Sequence, residues 1–335
     1  MPIDTPTVSV VIATFNGAAF IEEQLRSLLG QSRPAFEIIV SDDGSEDDTV
    51  KRAKILLESG SLPFRIIQNP VRLGFRDNFL CAALSARGDV VAFCDQDDVW
   101  HPRKLEACAG HFADPSVAMV AHAATTIDGE GNPIGRFDQG IARTGVRPPL
   151  SYDPWQTFFG FSMLFRRSLL DIADTSDRFI DFISPGQQIA HDRWIMFLAQ
   201  MLGRTMEIAE PLVQYRQHGR NTFGSSYRRD KATDLRIDTE IYLAATRKML
   251  TIVQALPDSA VDVFPAFDRV RCERFLSHAV AQLTMRRSIY ENSSIPASLA
   301  GIFSGWMEGK YRAAHTGQHR WHSIGRDLQF TFLSK

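Results

Sequence analysis

The residues best suited to chemistry in this 335-residue chain are carboxylates set in short clusters. Asp95, Asp97 and Asp98 fall within the run DQDD around Gln96, and Asp42 and Asp43 stand together before Gly44. Hard oxygen ligands at this density suit Mg²⁺ or Mn²⁺, which keep open coordination positions for the oxygens of a substrate phosphate. A phosphate brought to such an acidic surface needs a cation between the two. The alternative is structural, since Asp is a preferred N-cap and these aspartates precede a helical pattern. Arg72, Arg76 and Asn78 form a second group, in which arginine presents a fork of donors to phosphate oxygens or stays solvated on its helix. Farther on, Asp192 opens an apolar helical stretch, where a carboxylate also stabilises the positive end of the helix dipole. His218 closes a strand-like segment.

The elements that must position these groups alternate in the first hundred residues. Val8 to Ala13 is a β-branched and apolar run, too short for a helix and ended by Thr14-Phe15-Asn16-Gly17, as expected of a strand buried on both faces. Phe36 to Val40, Phe64 to Gln68 and Val90 to Cys94 repeat the pattern, with helices predicted between them. One of these starts at a capping box, Ser45 with Asp48, and runs through Leu57; another spans about Phe75 to Ala86. Four βα units imply a parallel sheet covered on both sides. Ligands bind such sheets outside the carboxyl ends of the strands, so Thr14 to Asn16, Asp42-Asp43, Asn69 to Gly74 and Asp95 to Asp98 collect on one rim. That rim carries neither GxGxxG nor GxxxxGK[ST], which speaks against a Rossmann cofactor or a P-loop nucleotide.

In the second half, Phe158 to Phe165 reads as a strand and Arg166 to Ser168 as the opening of a helix. His191 to about Leu202 reads as a helix, and Glu207 to Tyr215 as a strand that Pro211 assigns to a sheet edge. From about Thr233 the pattern is helical throughout. The division expected is 1–225 for the α/β part and 226–335 for the helical region.

Composition bounds the function classes. With 37 basic and 39 acidic residues the net charge is -2, so no global field favours nucleic acid. Cys81, Cys94, Cys108 and Cys272 show no metal or disulfide spacing and read as reduced thiols. The start of the chain lacks the pattern of a signal peptide, and no apolar run is long enough to cross a bilayer, so a cytoplasmic location is expected. From Gly301 on, Lys310, Arg312, Arg320, Arg326 and Lys335 mix with Trp306, Tyr311, Trp321, Phe330 and Phe332. Such a mixture can pack as an ordinary helical subdomain or make a peripheral contact with an anionic membrane surface.

The runs VSVVIATFNG, EIIVSDDGSEDDT, RLGFRDNF and GDVVAFCDQDDVWHPRKL, in this order over about residues 7 to 110, resemble the family 2 glycosyltransferases of GT-A fold. GFSMLFRRSLL, His191-Asp192-Arg193-Trp194 and Tyr215 to Asn221 fit the same family more loosely, the last resembling a bacterial rhamnosyltransferase-like branch. The resemblance implies an α/β, GT-A-like nucleotide-diphospho-sugar transferase fold, with a donor half at about 1–110, an acceptor half at about 111–225 and an α-helical C-terminal region.

The resemblance also implies roles. Thr14, Phe15 and Asn16 surround the nucleotide, with Phe15 where tyrosine is common, and Asp43 accepts from a pyrimidine N–H. Asp95 and Gln96 belong to the nucleotide site, with Asp95 toward the ribose, while Asp97 meets the metal of a DXD motif and His218 completes its shell or meets the diphosphate. Arg72, Arg76 and Asn78 hold the diphosphate or donor sugar, Trp100 and Trp194 wall the sugar site, and Asp192 is the base. The activity expected is inverting, metal-dependent transfer from dTDP-rhamnose or a UDP-hexose to a glycan or lipid-linked saccharide of a bacterial surface polysaccharide. The competing readings are a non-catalytic sugar-nucleotide scaffold and a sugar-nucleotide pyrophosphorylase, though the latter wants a glycine- and arginine-rich first loop that Thr14 to Gly17 does not supply.

Overall fold

The structure is a computed structural model and describes residues 6–218 and 235–333. Its first four strands are β1 (Val8–Thr14), β2 (Glu37–Asp42), β3 (Phe64–Gln68) and β4 (Val90–Asp95). They lie parallel in the order β3-β2-β1-β4. β1, β2 and β4 are buried almost throughout, which is why they read as unbroken apolar runs rather than alternating ones. The helices between them are α1 (Ile21–Leu29), α2 (Thr49–Glu58) and α3 (Phe75–Leu84).

The remaining elements are β5 (Val99–Trp100), α4 (Lys104–Ala109), β6 (Val117–Ile127), β7 (Pro133–Phe137), β8 (Gly145–Arg147), β9 (Met163–Arg166), α5 (His191–Leu202) and β10 (Arg204–Arg216). Beyond the undescribed stretch come α6 (Leu235–Ala255), α7 (Ala260–Val263), α8 (Arg269–Glu291), α9 (Ile295–Met307) and α10 (Trp321–Leu333). The sheet continues past β4 as β9-β6-β10-β5, with β9 antiparallel to both neighbours and β6 and β10 parallel.

Four expectations are corrected. The capping box does not form: α2 starts at Thr49, and Ser45 instead bonds Asp42 through its hydroxyl (2.5 Å) and its N–H (2.8 Å). Residues 158–165 are a strand only from Met163, because a short 3₁₀ turn at Gly160–Ser162 comes first. Arg167–Leu170 is likewise a single 3₁₀ turn rather than an α-helix. Pro211 does not mark an edge, since β10 lies between β6 and the short strands β5 and β8; the missing N–H falls at a register shift against β6. The boundary expected at 225/226 and the segment 219–221 lie outside the described residues.

One apolar core joins the sheet, α3 and α5 to the helical region. Phe79, Phe93, Phe165, Trp194 and Phe197 share a cluster with Ala245, Met249, Phe275 and Leu276 of α6 and α8. α8, α9 and α10 add a small cluster of their own around Tyr290, Ile302, Tyr311 and Phe330.

Candidate active site

Register sets the rim. Thr14 pairs with Asp42 across β1 and β2, and Ala13 with Asp95 across β1 and β4, so the carboxyl ends of three strands stop level with one another. After Asp95 the chain crosses to β5, which is antiparallel to the end of β10 through Val99 and Gln214. Residues 96–98 therefore bridge from the middle of the sheet to the point where β10 delivers Arg216 and His218.

The acidic run divides its labour. His218 Nε2 lies 2.8 Å from Asp97 Oδ2, and its ring stacks on Phe20 at 4.9 Å between centroids. Asp98 is buried and does not cap a helix, because β5 follows it and α4 begins at Lys104. One of its oxygens accepts the Arg216 N–H (3.0 Å), while Oδ2 is enclosed without a partner among the described residues. Burial first, then the charges of Asp97 and Asp95, push its carboxyl well above the usual range. Asp95 is pushed up to about 7 by burial first and then by the charges of Asp97 and Asp192. His191, which precedes Asp192, meets the edge of Phe93 in β4 at 4.8 Å, so the second-half acid opens its helix beside the strand that ends in Asp95.

Two basic groups that sequence reasoning gave no role hold this negative cluster. Lys104 is buried; its ammonium donates to the Phe161 carbonyl at 2.6 Å and lies 3.5 Å from the Trp100 ring centroid. Burial draws its pKa down to about 8 against the opposing pull of Cys94 and Cys108 and then of Asp98 and Asp95. Arg216 ties β10 to the run through Nε–H to the Asp97 carbonyl (2.8 Å) and reaches Glu23 at 2.6 Å. A lysine or arginine beside an acidic run reads as solvated, so the one available signal was the closeness of Lys104 to DQDDVW.

Several residues expected at the nucleotide also support the loops around it. Thr14 donates its hydroxyl to Asp42 (2.9 Å). Asn16 sits at φ 49 and accepts the Glu46 N–H through Oδ1 (2.9 Å). Gln96 pairs with both backbone groups of Phe15, accepting at 3.0 Å and donating at 3.1 Å. Asp43 is buried and accepts from the N–H groups of Leu73 and Gly74, each at 2.7 Å, and from Asn69. Asn78 is buried and engaged by Ser41 and Asn69, so its side chain meets no diphosphate in this arrangement. Phe15 is half-buried, and Arg72 lies over its ring at 3.7 Å.

Arg76 also works inward, pairing with Asp181 at 2.7 Å, and Arg178 pairs with Asp77 at 2.5 Å. These two bridges strap α3 to the segment before α5. The first residue of α5, His191, stacks on Phe79 at 4.1 Å and meets the edge of Phe93 at 4.8 Å. Burial draws its pKa down to about 4, so it stays neutral. Asp192 follows, half-buried, with Oδ1 accepting the Arg193 N–H at 2.7 Å. Gly160 leaves the room for this turn, since a Cβ there would come within 2.8 Å of His191 Nε2 and 3.8 Å of Asp192 Cβ.

Trp194 and Trp100, expected as walls of a sugar site, are core residues at 0% and 2% exposure. The other acids of the second half face elsewhere: Asp171 pairs with Arg167 and Asp177 with Lys248. Among the described residues no three His, Cys, Asp or Glu side chains form a ready ligand set for a metal. The donor chemistry nonetheless fits a hard divalent cation: the Asp97 carboxylate and His218 imidazole are adjacent, and Asp98 holds an unpartnered buried oxygen in a cluster of mutually repelling acids.

A parallel sheet extended by mixed strands, with an acid rim at its carboxyl ends and helices behind, defines a GT-A-like glycosyltransferase fold. The family described as Glycosyl transferase family 2 matches residues 9–172, and this segment of the chain belongs to that family. The fold of Staphylococcus aureus TarS 1–349, solved with UDP-GlcNAc, matches 97% of this chain and 90% of that one at a TM-score of 0.58 and 16% identity. The same protein solved with UDP gives a TM-score of 0.55 over 98% of this chain and 81% of that one, at 17% identity.

Among curated relatives, an uncharacterized glycosyltransferase of Nostoc sp. is 29% identical over 65% of this chain and 67% of its own length. The putative glycosyltransferase EpsH of Bacillus subtilis is 28% identical over 64% of this chain and 62% of its own. An uncharacterized protein of Mycobacterium tuberculosis is 40% identical over 34% of this chain and 35% of its own. The matched stretch thus spans between about a third and two thirds of these relatives.

Proposed function

We propose that the chain transfers a sugar from a nucleoside-diphosphate donor, dTDP-rhamnose or a UDP-hexose, to a hydroxyl of a glycan or lipid-linked saccharide, with inversion at the anomeric carbon. What supports this is the approach of two acidic sets from different halves of the chain: Asp97 with His218 just past the end of β4, and Asp192 at the start of α5, whose first residue His191 packs on Phe93 of β4. In support, TarS was solved with UDP and with UDP-GlcNAc, and relatives are named for teichuronic acid biosynthesis and as Eps glycosyltransferases of Bacillus subtilis.

In this reading Asp192 takes the proton of the acceptor hydroxyl. The oxygen bonds to the anomeric carbon on the face opposite the diphosphate, the bond from that carbon to the phosphate oxygen breaks, and the nucleoside diphosphate leaves with the electron pair. Phe15 with Arg72 flanks the base, Asp43 offers it an acceptor, and Asp95 faces the ribose. Asp97 and His218 would hold Mg²⁺ or Mn²⁺, which offsets charge on a leaving diphosphate. We assign the reaction to the cytoplasm; the four cysteines are all unpaired, and no helix of the described residues is long and apolar enough to cross a membrane.

The test is a panel of dTDP- and UDP-sugars with Mn²⁺ and an acceptor mixture, scored for release of nucleoside diphosphate. Release from one donor, dependent on acceptor, supports transfer. Tight donor binding without release from any member, together with loss of that binding in Asp192→Ala, would favour a non-catalytic scaffold.

A further inference from the structure

α9 is packed with most of its large side chains outward. Its residues Ile295–Met307 include no charged side chain, and those it buries are Ser298, Ile302 and Gly305. Phe303 and Met307 are 63% and 65% exposed, and Trp306 and Ile295 are 39% and 37% exposed. Ile295, Leu299, Phe303 and Met307 recur at four-residue spacing, so they form one stripe with Trp306 beside it. An apolar stripe of this kind, left in water, marks an interaction surface.

Trp306 and Met307 also line a groove of about 760 Å³ that runs onto α8. Its walls carry Arg271, Arg274 and Arg312, none of which forms an ion pair among the described residues. The acid among its lining residues, Glu308, is taken by Lys310 at 2.6 Å. Apolar stripe and unpaired arginines are therefore continuous through two shared residues. Elsewhere in the C-terminal stretch Tyr311 and Phe330 are buried and Arg320 pairs with Asp153, while Trp321 and Phe332 of α10 are exposed but do not line this groove. Lys335 lies outside the described residues.

We propose that the outer face of α9 and the adjoining arginine groove form a docking surface for an anionic lipid bilayer. The apolar stripe enters the boundary between headgroups and acyl chains, Trp306 sits at the interface, and the arginines meet lipid phosphates. A second copy of the chain suits the surface less well, since a two-fold contact would set this unpaired positive patch beside itself. The proposal stands independently of glycosyl transfer.

The test is sedimentation of the full chain with vesicles of phosphatidylglycerol in phosphatidylcholine, against phosphatidylcholine alone, at low and physiological salt. The chain should sediment with the anionic vesicles only. Phe303→Ser with Met307→Ser should weaken this more than tenfold through lost apolar burial. Arg271→Gln, Arg274→Gln and Arg312→Gln together should weaken it on the order of a hundredfold, at about fivefold each, and remove most of the salt dependence. All five side chains lie at the surface, so the variants should unfold at the wild-type temperature. Failure of the wild type to bind at low salt, equal binding to neutral vesicles, or variants that bind like wild type would overturn the proposal. So would a wild-type dimer that Phe303→Ser with Met307→Ser converts to monomer, which would give the stripe to a second copy.

Discussion

Asp192→Asn isolates the proton transfer from everything else that Asp192 does. The amide keeps the size of the carboxylate and keeps an oxygen for the Arg193 N–H that now bonds Oδ1 at 2.7 Å. It loses the charge at the first turn of α5, a position worth about 0.3–1 kcal/mol in the field of the helix. Part of that loss is returned, because the same charge repels Asp95. Stability should therefore change by no more than about 1 kcal/mol, a Tm shift of roughly 2–4 °C at most for a chain of this size.

Catalysis should respond on another scale. A positioned base contributes about 10²–10⁴-fold, or about 3–5 kcal/mol of activation free energy at 1.36 kcal/mol per decade. With saturating donor and acceptor, kcat for nucleoside diphosphate release should fall at least about a hundredfold, and kcat/KM with it. Donor affinity, measured by calorimetry with Mn²⁺ present, should stay within about twofold, since Asp192 makes no contact that holds the donor loops. A kcat within about threefold of wild type would remove Asp192 as the base. A parallel loss of donor affinity and kcat would recast it as a binding residue.

Three further outcomes are expected. Asp97→Ala should abolish turnover with the fold intact, and excess EDTA should silence the wild type until Mn²⁺ or Mg²⁺ is restored; full turnover in EDTA would refute metal dependence. Gly160→Ala should cost about 1–3 kcal/mol of stability and lower kcat together, because the added methyl meets His191, which Phe79 and Phe93 hold in place; a variant with wild-type kcat would show that this turn does not position Asp192. Glu37 is buried, and although burial alone would raise its pKa, hydrogen bonds from Arg87 and Ser9 and the charge of Arg65 bring it below 4.5. Its stabilisation is thus complete above that value and lost as pH falls through the lowered one, so Glu37→Gln should flatten the acid limb of a denaturant-stability curve. An acid limb identical to wild type would assign that limb to other carboxylates.

What the sequence made legible follows from how locally each feature is determined. Phe64 to Gln68 and His191 to about Leu202 were readable because a short strand-like run and an apolar helical stretch each carry their own boundaries. β5, at two residues, and the 3₁₀ turn at Gly160 carry no periodicity to detect. Pro211 signalled an edge, but a bulge answers the same missing N–H equally well. Arg76 and Asp181 are 105 residues apart, and nothing local distinguishes an arginine that meets a phosphate from one that straps two segments together. Lys104 was signalled only by its closeness to DQDDVW, for a similar reason: its burial is a property of the loop and strands around it.

The rim shows why residue type alone overstates a ligand set. Loops at strand ends expose N–H and C=O groups that must be satisfied, and the side chains able to satisfy them are the ones able to bind a nucleotide. Capacity then separates the two roles. A carboxylate offers about four acceptor sites, and Asp43 spends three, on Asn69, Leu73 and Gly74, leaving one for the N–H of a pyrimidine. Gln96 commits both ends of its amide to Phe15, and Asn78 is enclosed with both ends engaged, so each can influence the donor only through the loop it holds. Phe15 with Arg72, Asp95, Asp97 with His218, and Asp192 are left, with the remaining acceptor site of Asp43, as the groups the proposed reading gives to the substrates. In the proposed reading, base stacking, charge at the diphosphate and proton removal fall to separate residues of this rim, so substitutions at each should be told apart by whether donor affinity, metal dependence or kcat responds.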